Sequence, residues 1–344
     1  MTKRRDRLTA ADIRGAWAII PTPATDDASD WRASDTVDVE ETARAVDALI
    51  EAGVDGILSL GTLGEAATLT LDEKRAFIAA MVEAAAGRVP VFAGTSSLST
   101  RETVRQTREA RDLGVDGTMI GPPMWNKPDT AMAAQFFRDV AEAVPELAIC
   151  VYANPGVFKF DFPPAFWAQV ADIPQVVAAK TASAATYLRD LKASGGKIRL
   201  MPIDADFYSA ARLDPDTAVA FWSSSASCGP APAIALRERV AEAKRTGDWT
   251  LARKLNDQIG AAVLPTIAYG DMDTFQIHNT ALEKGRMNAA GFLRAGPHRP
   301  PHHLVPDRIA ELGRLGGSAW AALQQEYQEY ADLVTRTAVR IGDR

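Results

Sequence analysis

Cysteine, histidine and long apolar runs are scarce in this chain, and each shortage excludes a class of function. Only two cysteines occur among 344 residues, Cys150 and Cys228. They lie far apart in apolar stretches without CxxC or zinc spacing, so a disulfide scaffold is not indicated and a reducing cytoplasm is expected. The four histidines, His278, His298, His302 and His303, all fall late in the sequence, away from any carboxylate cluster at a strand end, so no metal site is expected. His298 with His302 and His303 belongs to a proline-rich stretch, residues 296–303, that reads as a surface loop. No apolar run approaches the roughly 20 residues that span a bilayer. Residues 1–8 are basic but lack an apolar h-region, which reads as a frayed start and not a secretory signal. The glycine fingerprint of dinucleotide folds, the P-loop and the Gly-x-Ser-x-Gly elbow are all missing. A formal net charge of −6 argues against nucleic acid or an anionic membrane as partner. A small molecule remains.

What is present is an ordinary globular balance, 47% hydrophobic and 24% charged, with material for a large core. From Gly15 onward, short apolar runs alternate with amphipathic stretches, the pattern of parallel βα units. Strands are predicted at 16–21, 56–60, 90–95, 117–121, 147–152, 175–180, 198–203 and 218–223. Helices are predicted near 38–52, 71–86, 99–113, 129–144, 163–172, 183–194, 204–212 and 230–246. Thr70-Leu-Asp-Glu73 and Ser99-Thr-Arg-Glu102 are capping-box signals. Gly-Val-Asp-Gly at 53–56 and again at 114–117 ends a helix and enters a strand each time. The expected fold class is therefore α/β, a (β/α)8 TIM barrel over 15–246 with an open doubly wound sheet as the weaker option, preceded by an extension at 1–14 and followed by a C-terminal helical appendage at 247–344. In the appendage, helices are predicted near 248–263, 279–292 and 317–336, with Trp249 and Trp320 as packing residues.

Chemistry in such a barrel belongs at the carboxyl ends of the strands. Val176-Val-Ala-Ala-Lys180 ends an apolar strand on a lysine. Desolvation disfavours an ammonium there, and a neutral amine is a nucleophile. Tyr152 ends the preceding strand in Cys150-Val-Tyr-Ala-Asn-Pro155, one βα step away, where a phenol could relay protons. Gly61-Thr-Leu-Gly-Glu65 follows the second strand, and glycines bracketing two residues let their amides form a carboxylate cradle. The serines of Trp222-Ser-Ser-Ser-Ala-Ser-Cys228 either line a pocket or satisfy loop backbone.

Taken in order, Gly61-Thr-Leu-Gly-Glu65, Tyr152-Ala-Asn-Pro155 and Lys180 resemble the motifs of the dihydrodipicolinate synthase and N-acetylneuraminate lyase superfamily of class I pyruvate aldolases. Asn279-Thr-Ala-Leu-Glu-Lys284 and Arg299-Pro-Pro301 are similar to that family's later N-P-x-x-x-K and R-x-P. The resemblance covers about 14–310. It implies Lys180 as the Schiff-base lysine, Tyr152 as proton shuttle, the Thr62 and Leu63 amides as carboxylate holders, no cofactor and a homotetramer. Three departures narrow the substrate: Leu63 in place of a second threonine, Gly156-Val-Phe-Lys-Phe-Asp-Phe162 in place of a Gly-Arg-Thr carboxylate grip, and Met124-Trp125-Asn126 after strand four. Within the superfamily the chain looks most like the hydratase-aldolases of aromatic degradation, which act on trans-o-hydroxybenzylidenepyruvate or trans-2'-carboxybenzalpyruvate. Ala11-Asp-Ile-Arg-Gly-Ala-Trp17, Ala28-Ser-Asp-Trp-Arg32, Phe221-Trp-Ser-Ser224 and Arg286-Met287 carry that likeness. It implies substrate contacts from Trp222, Asn279 and Asn154. A sugar-acid aldolase or dihydrodipicolinate synthase would demand polar residues at Phe158, Phe160 and Phe162, and a non-catalytic binding barrel would not need both Lys180 and Tyr152. A ring carboxylate would need a cation such as Lys159, Arg189 or Arg237.

Overall fold

The computed structural model describes residues 6–181 and 184–342. Its first elements are β1 (Gly15–Ile19), α1 (Val39–Glu51), β2 (Gly56–Leu58), α2 (Leu71–Ala85), β3 (Val91–Gly94), α3 (Thr100–Leu113), β4 (Gly117–Ile120) and α4 (Thr130–Ala143). Then come β5 (Ala148–Tyr152), α5 (Pro155–Phe158), α6 (Pro164–Val170), β6 (Val176–Lys180), α7 (Tyr187–Ala193), β7 (Arg199–Met201), α8 (Asp204–Leu213) and β8 (Ala220–Ser223). Four helices complete the chain, α9 (Ala231–Thr246), α10 (Thr250–Val263), α11 (Met272–Ala290) and α12 (Asp307–Gly342). This order of parallel strands and intervening helices is that of an α/β (β/α)8 barrel with added C-terminal helices. All eight predicted strands are present. Ser183, where the sixth predicted helix begins, and residues 1–5 of the predicted extension lie outside the described residues.

The chain divides into two compact units that do not follow the sequence partition. One comprises the residues through Gly15 with Pro90–Trp222. In it β3, β4, β5, β6 and β7 pair in parallel, and a bridge from Ile203 to Trp222 adds β8. Its core includes Phe137, Phe166 and Trp167, all fully buried, and Phe207 tilted against Phe221 with centroids 4.4 Å apart. The other unit comprises Ala16–Val89 and the chain from Ser223 onward. The helices at 247–344 share this unit with β1 and β2.

Local chemistry accounts for the element ends. Thr70 and Glu73 exchange both capping-box bonds at the start of α2, Glu73 N to Thr70 Oγ1 and Thr70 N to Glu73 Oε2. At Ser99 only the forward bond forms, because the Glu102 carboxylate pairs with Arg105. The repeated Gly-Val-Asp-Gly has one job in both places. Asp55 accepts from Ala16 N and donates its own N–H to Ala16 O, and Asp116 does the same with Val91. Each aspartate thus satisfies an amide at the start of the preceding strand.

Two helices are longer than predicted. The helix expected near 317–336 already begins at Asp307, so Gly313, Gly316 and Gly317 all lie inside α12. A Cβ on Gly313 would approach Gly285 Cα to 3.2 Å, and one on Gly317 would overlap the Arg286 carbonyl. The glycines are where α12 closes on α11, and that packing outweighs their poor helix propensity. Helix α11 begins at Met272, capped by Asp271 Oδ1 accepting from Thr274 N. His278 leaves helical geometry (φ −111°, ψ 19°), which separates its first two turns from the segment starting at Asn279.

Candidate active site

Lys180 is the last residue of β6, pairs in register with Tyr152 of β5, and is only partly buried. The register depends on an irregularity. Ile149 pairs with Val176 but Cys150 pairs with Ala178, so Val177 is an extra residue in β6. Without it Tyr152 would face Ala179, and Lys180 would move to the other face, since successive side chains alternate. The bulge brings amine and phenol to one side.

The Lys180 Nζ lies 4.7 Å from the ring centroid of Tyr152 and 3.4 Å from that of Trp222. Trp222 is 7% exposed, and its Nε1–H donates to the Thr181 carbonyl at 2.6 Å, fixing the indole plane. Aromatic faces carry partial negative charge, so this clasp stabilises a cation at the nitrogen. Asn154 donates from Nδ2 to the Tyr152 hydroxyl at 3.4 Å and caps α5 by accepting from Val157 N. Phe158, 1% exposed, stands edge-on to Tyr152 at 5.3 Å, and a Cβ on Gly121 would overlap its ring. Tyr152 is thereby held by an amide and by a ring. Cys150, buried on the same strand, is no competing nucleophile, because burial pushes its thiol up to about 12 despite the Lys180 amine nearby.

The loop after β2 is built differently, from backbone. The Gly61 carbonyl accepts from Ala66 N, and the Thr62 carbonyl accepts from Glu65 N and, at 3.4 Å, from Thr280 Oγ1. Because a trans peptide sets N–H opposite C=O, the Thr62 and Leu63 amides are directed the other way, side by side. Gly64 is required here, since a Cβ would come within 2.9 Å of Leu60 N. Its carbonyl accepts from Thr22 Oγ1 at 2.8 Å. Asn279, beside Thr280 on α11, has a buried Oδ1 with no hydrogen-bond partner, an acceptor suited to a hydroxyl or water.

Behind this loop lies a charge cluster that motif reading quoted but did not interpret. Glu65, in left-handed backbone (φ 54°), accepts from Lys284 Nζ at 2.7 Å and from the Arg299 amide and guanidinium. Lys284 also donates to the Pro297 carbonyl. Arg299 reaches the carbonyls of Thr22, Pro23 and Thr36, and its Nε donates to Thr36 Oγ1, which in turn donates to Glu73. The 296–303 stretch is thus no plain surface loop, because it carries a buried arginine. Burial pulls Lys284 down to about 8 even with Glu65 beside it. Burial works against the Glu65 charge as well, yet Lys284 and Arg299 together hold that carboxyl below its ordinary value. The asymmetry follows from numbers of partners: one carboxylate answers two cations.

Other candidates are occupied elsewhere. Ser224 and Ser225 bond Arg286, which pairs with Glu283; Ser223 Oγ accepts from Ala226 N; Ser227 donates to the Ile19 carbonyl. The serines therefore satisfy a loop. Phe160 and Phe162 pack with Phe166 and Trp167 in the interior, so these positions report packing and not the polarity of a substrate. Arg189 pairs with Asp190 and Arg237 with Asp55, while Lys159 donates to the Trp125 carbonyl. Trp320 is fully buried, its Nε1–H on the Gly229 carbonyl.

Known proteins are similar to this chain along nearly its whole length. The trans-O-hydroxybenzylidenepyruvate hydratase-aldolase of Sphingobium xenophagum is 57% identical over 319 residues, 93% of this chain and 97% of that protein. The trans-2'-carboxybenzalpyruvate hydratase-aldolase of Nocardioides sp. (strain KP7) is 37% identical across 93% of this chain and 96% of that protein. A solved structure described as PhdJ bound to substrate intermediate superposes with a TM-score of 0.90 at 41% identity, covering 94% of this chain and all of that one. The model of the dihydrodipicolinate synthetase family matches residues 28–201, and with it the chain belongs to that family.

Proposed function

We propose that the chain is a class I hydratase-aldolase that hydrates and cleaves an aryl-substituted 2-oxobut-3-enoate to an aromatic aldehyde and pyruvate. The observation that carries this reading is the Lys180 amine held between the faces of Tyr152 and Trp222. The amine condenses with the 2-oxo carbon and releases water. The resulting iminium withdraws electrons through the conjugated alkene, so water adds at the benzylic carbon while the neighbouring carbon gains a proton. The new hydroxyl then loses its proton, its electrons form the aldehyde carbonyl, and the carbon–carbon bond breaks into the pyruvate enamine. Protonation and hydrolysis return pyruvate and free Lys180. These steps balance without metal or organic cofactor.

The same reading assigns a role to each candidate residue. Tyr152, whose oxygen accepts from Asn154, keeps its own proton for transfer. Trp222, which sequence resemblance suggests as a contact for the substrate, lies over the reacting nitrogen, where it stabilises the iminium. The Thr62 and Leu63 amides hold the pyruvoyl carboxylate, and Asn279 Oδ1 accepts from the added water or hydroxyl. Greater identity to the hydroxybenzylidene-specific relative than to the carboxybenzal one favours a hydroxylated ring. Among the described residues no helix is long and apolar enough to cross a membrane, in keeping with a cytoplasmic enzyme. Exposed Leu264, Tyr269, Met272 and Ile277 offer an apolar surface consistent with the homotetramer that the family implies; sedimentation at the monomer mass would remove that part. Borohydride trapping with pyruvate is expected to leave a mass adduct on Lys180. An adduct elsewhere, or turnover of only aspartate semialdehyde or a sugar acid with no salicylaldehyde formed from trans-o-hydroxybenzylidenepyruvate, would overturn the reading.

A further inference from the structure

Two carbonyls decide where the Thr62 and Leu63 amides point: that of Gly61 is held within the loop by Ala66 N, while that of Thr62 is not held by the loop alone. The Thr62 carbonyl takes one bond from Glu65 N and one from the Thr280 hydroxyl on α11. Glu65 adopts left-handed backbone, which a residue with a Cβ occupies only under restraint. The restraint is visible: its carboxylate is fully buried and gripped by Lys284, four residues beyond Thr280 on α11, and by Arg299. Thr280 and Lys284 are separated by one helical turn, so they face the loop together. Arg299 then runs through Thr36 to Glu73, which closes the capping box of α2 where the loop ends. The loop is pinned in its middle and at its far end by one continuous network.

We infer that Thr280, Lys284 and Arg299 are positioning residues for substrate recognition: through Glu65 and the Thr62 carbonyl they aim the loop amides at the carboxylate of a 2-oxo acid. The inference rests on the cradle reading given above and deepens it. A network that served stability alone would have no reason to bond the one carbonyl whose orientation sets the Leu63 amide. The groups facing Lys284 are Glu65, Arg299, the Pro297 carbonyl and, by charge, His298.

The test uses borohydride trapping of the full-length protein with pyruvate and with methyl pyruvate, which lacks the negative charge, reading the concentration that gives half-maximal modification of Lys180. Wild-type protein is expected to need less pyruvate than ester. In Thr280→Val and Lys284→Met the pyruvate concentration is expected to rise about fivefold or more, the effect of one lost oriented contact, with the ester within about twofold of wild type. Lys284→Arg keeps the charge and is expected to recover part of the preference. Trp320→Phe, a buried change outside the network, is expected to lower Tm without altering the preference. If wild type does not distinguish acid from ester, the cradle reading fails and takes this inference with it. If wild type distinguishes them and the folded variants do so equally, only the positioning role is overturned. Should Lys284→Met not fold, Thr280→Val, which removes a single hydroxyl, decides alone.

Discussion

Two lysines occupy opposite kinds of interior. Lys180 ends a strand half-buried, its nitrogen against two aromatic faces. Lys284 lies mid-helix with no exposed surface, its nitrogen spent on a carboxylate and a carbonyl. Both are withdrawn from water, yet what surrounds them differs. A ring face stabilises a cationic nitrogen, and in the proposed mechanism that nitrogen exchanges a proton for a carbon. A carboxylate at 2.7 Å fixes the ammonium as an ion and occupies its protons. Burial alone therefore does not mark a catalytic lysine; the chemistry of what touches it does.

The sharpest way to break this contrast is to remove each amine. Lys180→Ala is expected to lower cleavage by about four orders of magnitude or more with little loss of Tm, as for deletion of a covalent nucleophile. Lys284→Ala should leave Lys180 able to trap pyruvate but cost about 3–5 kcal/mol in urea unfolding, the usual penalty for stranding one partner of a buried ion pair. The reverse pattern in those two measurements would overturn the assignment. The pH dependence has a sign to check. Glu65 has a folded pKa below its ordinary 4.5, so the stability it contributes is present above that value and is lost as pH falls through the folded pKa. The wild-type urea midpoint should accordingly fall on the acid side more steeply than that of Glu65→Gln.

Smaller effects refine the Lys180 side. Tyr152→Phe is expected to lower kcat by about 10²–10³ while borohydride still modifies Lys180, because it deletes a proton shuttle and not the nucleophile. Trp222→Leu removes a desolvated cation–π contact of about 1–2 kcal/mol, so about tenfold more pyruvate should be needed for half-maximal trapping. An unchanged value would show that the indole serves the substrate's ring and not the nitrogen.

Much of the fold was legible because it is periodic. Helices ending and strands beginning at Gly-Val-Asp-Gly and the Thr70 capping box mark local events, and each was found where its residues foretold. The start of α12 was not legible, since the helix expected from 317 begins at Asp307 and carries Gly313, Gly316 and Gly317 inside it, glycines whose packing role appears only once the neighbouring α11 is known. Likewise Phe160 and Phe162 suggested an apolar substrate and turned out to be core, because composition does not reveal which way a loop residue turns. For the site, Lys180 and Tyr152 were readable as strand ends. The Val177 bulge that aligns them was not, since it is a property of pairing and leaves no residue signature.

The sequence by itself determined the element order, the strand-terminal amine and phenol, and the loop glycines, all set by backbone stereochemistry and side-chain periodicity within a few residues. Only tertiary structure decided which lysine is sealed with an acid and which faces aromatic rings. Glu65 and Lys284, or Lys180 and Trp222, are separated by tens to hundreds of residues, and electrostatic environment depends on distance in space, which no local pattern encodes.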